Sequence, residues 1–349
     1  MTASHNPSGA REGRRRTAVM ADVAKLAGVS HQTVSRVVND SAQVRPETRA
    51  RVMAAMRQLD YRPNPAARAL VTGRSRTLGV VSFDTTLYGP ASTLFAIEKA
   101  AHAADYFVTV VSMPALDRVT VLNAIERLRV QGVDGILVIS AQEGAVEALV
   151  NLRAGVPVVA VEAGPMQSVP VVAVDQWGGA ASATRLLLDL GHRAVWHIAG
   201  PRDWVEAQQR VEGWRSTLEA AGATIPPVLP GDWSPRSGYE VGRRLAADLD
   251  VTAVFVANDQ MALGLLRALH EHGRRIPGDV SVVGFDDVPE ARYFTPPLTT
   301  VRQDFAEMGR RALGLLLDVM SDSSQPPARL TVAPELVVRR STGPPPRLT

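Results

Sequence analysis

Apolar residues first recur at helical spacing in MADVAKLAGVSHQTVSRVVN, where Val23, Leu26 and Ala27 precede an interrupting Gly28. Gly28 can take the positive φ of a tight interhelical turn, and Ser30 is placed to N-cap a second helix starting at about His31. Val34, Val37 and Val38 give that helix an apolar face and small Ala24 allows close approach, while His31, Gln32, Ser35 and Arg36 point elsewhere. A third helix, RPETRARVMAAMRQLDY, can close a three-helix core with Val52, Met53, Met56 and Leu59. Further along, the period changes. Short β-branched runs (TLGVVSF, FVTVVSM, GILVIS, PVVAVE, AVWHIAG, AVFVAN, VSVVGF) alternate with helical segments such as ASTLFAIEKAAHAA, VEGWRSTLEAAG and DQMALGLLRALHEHG. That alternation predicts an α/β body of parallel sheets covered by helices on both faces. Seven to nine strands over about 265 residues exceed one typical sheet and predict two subdomains. Apolar runs such as Ala253–Ala257 and Ile136–Ile139 are strand-sized, far short of a membrane span.

Composition narrows the chemistry. The 349 residues are 46% hydrophobic and 21% charged, as in ordinary globular proteins, and contain no cysteine. Disulfides, thiolate nucleophiles and Cys-built metal sites are therefore excluded. The basic N-terminus is followed by no apolar signal-peptide core, so the expectation is a cytoplasmic protein. Net charge is +3, but residues 1–76 hold fourteen basic and five acidic side chains, a net of +9, leaving −6 on the remainder. A basic head on a mildly acidic body suggests a polyanion-binding module. Gln32 and Arg36, one helical turn apart near the start of the second helix, are placed to probe base edges in a major groove, where Gln suits adenine and Arg suits guanine. Arg45, Arg49, Arg51 and Arg57 look like phosphate contacts. For an enzyme the signals are thin: there is no GxxxxGK[ST], GxSxG or HExxH, and HEHG at 270–273 lacks zincin spacing. His192 reads as a structural or capping residue. No cofactor or metal is expected.

The chain resembles the lac-repressor (LacI/GalR) family of bacterial transcription regulators through DVAKLAGVSHQTVSRVVN, TRARVMAAMRQLDYRPNPAARAL, ANDQMALG, SVVGFDD and PPLTTVRQDF, a likeness running from Thr17 to about Thr342. The resemblance implies a basic tail (1–16), a helix-turn-helix domain (17–62), a hinge helix or linker (63–76) and a two-lobed periplasmic-binding-protein-like core. Its N-subdomain would hold 77–174 plus about 305–332, its C-subdomain 175–304 plus about 333–342, and 343–349 would be a tail. Implied DNA contacts are Ser30, His31, Gln32, Thr33, Ser35, Arg36, Asn39 and Arg45, with Leu70 wedging into the minor groove at the operator centre, supported by Asn64 and Ala67. Ligands in such folds sit beyond the carboxyl ends of strands. Glu162 follows PVVAV, Asn258 follows AVFVA and Asp286 follows SVVGF; Arg210 and Gln303 lie near helix starts or crossovers. Arg210, Asn258, Trp233, Asp286 and Gln303 match family residues lining the inducer cleft, Glu162 stands where close relatives carry a sugar-binding Asp, and Trp233 or Phe83 can stack on a pyranose. Trp196, Trp204 and Trp214 read as core or interface. The expectation is a homodimeric repressor of sugar-utilisation genes, bound to double-stranded operator DNA and released by a mono- or oligosaccharide; GPPPRLT after Thr342 offers no leucine heptad for a tetramer. Alternatives are a corepressor-dependent regulator binding a purine, and a sugar-binding protein without transcriptional role.

Overall fold

The computed structural model describes residues 18–38, 43–62, 69, 73–83, 86–113, 117–139, 141–150, 152, 155–164, 168–322 and 326–346. Asn39, Asn64, Ala67 and Leu70 lie outside them, as does the tail 1–16. The chain divides into two compact units, residues 1–75 and 76–349.

The first unit contains α1 (Met20–Ala27), α2 (His31–Val38) and α3 (Pro46–Gln58). Gly28 closes α1 at φ +65°, and the Ser30 hydroxyl accepts the Thr33 backbone N–H at 3.1 Å, capping α2. Asp22 receives the Val19 N–H at 2.9 Å at the entry to α1. Val23, Ala24, Ala27, Val34, Val37, Val52 and Ala55 form the core, with Met56 and Leu59 packed at its edge. Two expected core residues do not belong to it: Leu26 is 46% exposed and Met53 43%. Helices this short bury only a narrow stripe, which on α3 runs through Val52 and Ala55 and leaves Met53 outside it.

The second unit holds two six-stranded sheets. Its elements are β1 (Thr77–Phe83), α4 (Tyr88–Ala103), β2 (Phe107–Met113), α5 (Arg118–Gln131), β3 (Gly135–Ile139), α6 (Glu143–Leu149), β4 (Val158–Val161) and β5 (Val171–Val174). Then follow α7 (Gln176–Asp189), β6 (Trp196–Ala199), α8 (Val205–Ala220), β7 (Leu229–Pro230), α9 (Pro235–Ala247), β8 (Ala253–Val256), α10 (Asp259–Glu271) and β9 (Ser281–Asp286). The chain ends with β10 (Thr299–Arg302), α11 (Phe305–Ser321), β11 (Arg329–Val332) and β12 (Glu335–Val337). The first sheet runs β11-β5-β4-β3-β1-β2, all parallel; the second runs β12-β10-β9-β8-β6-β7, parallel except where β12 pairs antiparallel with β10. GILVI, VVAV and AVFV are apolar throughout because helices cover both faces of their sheets. The helices begin where the sequence caps them: Asp117, Asp175, Ser234, Asn258 and Asp304 each accept a backbone N–H from the first turn.

The described residues hold twelve strands rather than seven to nine. Five were not anticipated, β5, β7, β10, β11 and β12; β7 and β12, of two and three residues, carry too few for a period to show. The last segment is also less tail-like than expected. His192 and the Ser281 hydroxyl both contact the Gly343 carbonyl, at 3.0 and 2.9 Å, so His192 is structural and residue 343 is tied to the second lobe.

Candidate functional site

In both sheets the strand order reverses beside the first strand of the lobe, and the carboxyl ends of the strands meet at a cleft between the lobes. In this arrangement of the lobes the free space in the cleft is only about 40 Å³, well below the roughly 300–1,000 Å³ usual for small-molecule sites, so an effector enters with the lobes further apart. The first lobe contributes Tyr88 and Thr93 from α4, Ile139 from β3 and Glu162 just beyond β4. From the second come Trp204, Glu206, Arg210, Trp233, Asn258, Gln260 and Asp286, while Gln303 lies on the crossover between β10 and α11.

Arg210, one and a half turns into α8, is buried at the centre. Its Nε donates to Gln176 Oε1 at 2.9 Å, one terminal nitrogen donates to the Ala257 carbonyl, and the other stands 3.8 Å from Asp286 Oδ1. Gln176 Nε2 donates to Gln303 Oε1 at 2.9 Å, and Gln303 Nε2 to Asp286 Oδ1 at 2.6 Å. A closed ring of four side chains results. The guanidinium also lies 3.9 Å from the Phe285 ring centroid and 5.5 Å from that of Trp233. Across the cleft, Glu162 is held at 3.4 Å by the Val174 N–H and at 3.5 Å by Gln176 Nε2.

The backbone is bent to present these groups. Glu162 (φ +60°), Trp233 (φ +72°) and Asp286 (φ +107°) all adopt the left-handed region that disfavours residues with a Cβ. Such conformations cost on the order of 1–3 kcal/mol each and cluster at functional sites. Asn258 secures one of them: its Nδ2 donates to the Trp233 carbonyl at 3.0 Å while its Oδ1 caps α10 on the Met261 N–H at 2.8 Å. Behind Asp286, buried Asp259 accepts from Thr300 Oγ1 at 2.6 Å and from the Val288 N–H at 2.9 Å, and Asp287 pairs with Arg302 at 2.7 Å and Arg339 at 2.5 Å. Gly200 makes room for the Trp233 ring, because a Cβ there would lie 2.2 Å from a ring carbon. Gly200→Ala is expected to tilt Trp233 and weaken ligand binding by about 1–3 kcal/mol, the usual overpacking cost. Calorimetric titration of this variant checks it; wild-type affinity would contradict the placement of that ring.

Burial dominates the titration of the acids. It pushes the Glu162 carboxyl up to about 7 and that of Asp286 up to about 6, with Arg210 opposing both. Glu206 is raised too, first by burial and then by the charges of Glu162 and Asp286. For a raised carboxyl the folded chain holds the proton more tightly than the unfolded one. The resulting stability is complete below the unfolded value and lost as pH climbs through the folded one. Glu162 alone should cost the ligand-free chain about 3 kcal/mol between pH 4.5 and above 7. Thermal unfolding at pH 5 and 7.5 tests this: Glu162→Gln should flatten a fall that the wild type shows, and an unchanged slope would contradict it.

Of the residues expected in the cleft, Glu162, Arg210, Trp233, Asn258, Asp286 and Gln303 line it together. Phe83 does not. Its ring packs edge-on against Trp204 at 6.0 Å and stands one ring back from the wall. Trp204 takes that place: buried in the core at the lobe interface as expected, it also lines the cleft and meets Trp233 edge-on at 5.5 Å. Trp214 is fully buried, donating to the Val195 carbonyl at 2.8 Å, and Trp196 packs at the edge of the core. Sequence reasoning missed Glu206, Gln176, Gln260 and Tyr88. Trp204 and Glu206 follow the carboxyl end of β6, so the strand-end rule that selected Glu162 could have found them.

Trp204 also joins the lobes. It pairs with Gln142 in an isolated antiparallel bridge, flanked by Val205 N–H to the Ala141 carbonyl at 2.9 Å, Glu143 N–H to the Asp203 carbonyl at 3.1 Å and Gln208 Nε2 to Glu143 Oε1 at 2.6 Å.

On α2, His31, Gln32 and Arg36 are exposed, Thr33 and Ser35 half-buried, and Val34 and Val37 turned into the core. Ser30 and Arg45 are exposed at the starts of α2 and α3. Residues 19–64 match the lacI family of bacterial regulatory proteins, and residues 184–342 a periplasmic binding protein-like domain. The HTH-type transcriptional repressor PurR of Haemophilus influenzae is 34% identical over 334 residues, spanning 93% of this chain and 98% of its own. The chain belongs to the lacI family. It is a DNA-binding transcription regulator that responds to a small ligand. Among solved structures, this lacI-family chain is similar to the lac repressor dimer bound to operator and the anti-inducer ONPF, with a TM-score of 0.86, 32% identity, and coverage of 94% of this chain and 100% of that one. It is also similar to the CelR–cellobiose complex, with a TM-score of 0.69, 34% identity, and coverage of 93% and 99%.

Proposed function

We propose that this lacI-family regulator is a homodimeric repressor of sugar-utilisation genes, released from its operator when a mono- or oligosaccharide enters the cleft. The observation that carries the sugar reading is the convergence of Glu162, Glu206 and Asp286 with Gln303 and Asn258 beside the Trp204 and Trp233 rings. Carboxylates accept hydrogen bonds from hydroxyls that point in several directions, and indole faces cover the apolar face of a pyranose. Likeness to a regulator complexed with cellobiose supports the same chemistry. Working on DNA puts the protein in the cytoplasm.

Gln32 and Arg36 are then the base-reading side chains, Ser30, His31, Thr33, Ser35, Asn39 and Arg45 complete the contact surface, and the hinge 63–76 brings Asn64, Ala67 and Leu70 to the operator centre. A second copy accounts for the bare apolar side of the first lobe, where Phe95 on α4 and Phe107 on β2 are 68% and 75% exposed. The ligand acts by favouring one arrangement of the lobes, and it regulates only through unequal affinity for the DNA-bound and free arrangements. The Gln142–Trp204 bridge, with one residue in the cleft wall, is the element such a ligand biases.

A purine corepressor is the second reading, favoured by the 34% identity to PurR and by indole rings in the cleft wall on which a flat base could stack. Intrinsic tryptophan fluorescence decides between them, since Trp204 and Trp233 line the cleft. Titration with a panel of mono- and disaccharides including cellobiose is expected to give a saturable change, and hypoxanthine and guanine none. A saturable response to a purine alone would overturn the sugar reading.

A further inference from the structure

Acid and base are unequally supplied in the cleft. Three carboxyls line it, Glu162, Glu206 and Asp286, and Arg210 is the one basic side chain among its lining residues. The guanidinium is already committed to Gln176, to the Ala257 carbonyl and to the neighbourhood of Asp286, with an aromatic ring on its face. Glu206 is different. It sits one turn before Arg210 on α8, where an ion pair is expected, yet among the described residues it forms no salt bridge and its carboxyl accepts no hydrogen bond.

We propose, building on the reading of this cleft as the effector site, that it accepts effectors without negative charge and that Glu206 turns away phosphorylated and carboxylated ones. Among the described residues lining the cleft, an entering anionic group meets three acids and no uncommitted cation. The helix ends offer little in compensation. The start of α10 is capped internally by Asn258 and carries buried Asp259, and the first turn of α4 includes Pro90, which has no N–H to donate. The Tyr88 hydroxyl is kept from ionising first by burial and then by the charges of Asp286, Asp259 and Asp287. A neutral polyol, in contrast, supplies the hydroxyl hydrogens that Glu206 lacks. Burial raises all three carboxyls, so the repulsion acts through their ionised forms and the titrations belong above about pH 8; there, unit charges about 5 Å apart at an effective dielectric of about 20 correspond to roughly a hundredfold in affinity per facing pair.

Calorimetric titration of the full-length chain with two matched pairs tests this: cellobiose against cellobiose 6′-phosphate, and guanosine against GMP. In whichever pair binds, the neutral member is expected to bind at least about a hundredfold more tightly, and Glu206→Gln to shrink that ratio about tenfold or more. The glutamine keeps the side chain's size, so it leaves a merely steric exclusion of phosphate in place. A phosphorylated member that binds as tightly as its neutral partner would overturn the charge rule, and a ratio unchanged by Glu206→Gln would overturn the assignment to Glu206. Binding confined to the guanosine pair would sink the sugar reading, while the guanosine-to-GMP ratio still decides the charge rule.

Discussion

Arg210→Ala is expected to abolish the effector response while leaving sequence-specific DNA binding in place. Arg210 ties together three second-lobe elements, since its donors reach Gln176 at the start of α7, the Ala257 carbonyl after β8 and the neighbourhood of Asp286 after β9. Removing it leaves Asp286 as a buried carboxyl with its countercharge gone and frees Gln176 Oε1 to point into an empty space. Deleting one partner of a buried charged pair costs about 3–5 kcal/mol. In effector affinity that corresponds to at least about a hundredfold, because the ligand must bind to a wall that has lost its order. Arg210→Lys separates charge from geometry: it keeps the cation but cannot form the guanidinium fork, and should recover stability better than affinity. Circular dichroism melts establish that each variant is folded, and effector titrations give the affinity. A folded Arg210→Ala protein that still left its operator at the wild-type effector concentration would remove Arg210 from the site.

Arg36→Ala should do the opposite. Arg36 is exposed on α2, one turn beyond Gln32, and a bidentate arginine–guanine contact is worth about 1–3 kcal/mol of discrimination. Two half-sites double that in a homodimer if they act independently. The expected result is loss of preference for operator over scrambled DNA by about 2–6 kcal/mol, with residual salt-dependent affinity from Arg45, Arg49, Arg51 and Arg57. Effector binding should be unchanged. Competition titrations with operator and scrambled duplexes check this, and normal operator preference in the variant would sink the assignment of α2 as the reading helix.

The contrast between these two sites shows what a sequence discloses. The helix-turn-helix was legible almost whole, because its determinants are local: Gly28 for the turn, Ser30 for the cap and valines at helical spacing lie within fifteen residues of each other. Leu26 and Met53 misled because a periodic apolar residue at the margin of a narrow stripe looks the same in sequence as one at its centre. In the body the longer apolar strands were visible and β7, with two residues, was too short to carry a period, whereas β5 repeats the VVAV of β4 and was passed over. That omission had a cost. Gln176 follows β5 directly, so with the strand unseen the residue that bridges Arg210 to Gln303 went unnoticed.

The tryptophans teach a related lesson. Trp204, the N-cap of α8, and Trp214 within it are both buried among apolar neighbours, yet Trp214 packs against the second sheet while Trp204 also borders the cleft. Which face of α8 looks toward the first lobe is fixed by the Gln142–Trp204 bridge, a contact between residues far apart in the chain. Phe83 failed for the same reason: the end of β1 was the right place, but the ring that reaches the cleft from there belongs to another lobe.

The measurement that bears most directly on the central claim is fluorescence anisotropy of the full-length protein on a labelled duplex carrying the palindromic sequence upstream of its own gene, repeated with the sugar panel. Tight binding that one neutral sugar relieves, in the concentration range over which that sugar quenches or enhances the cleft tryptophans, is the predicted result. Tight binding that no sugar relieves, or that a purine strengthens, would contradict control of DNA binding by a sugar in this cleft.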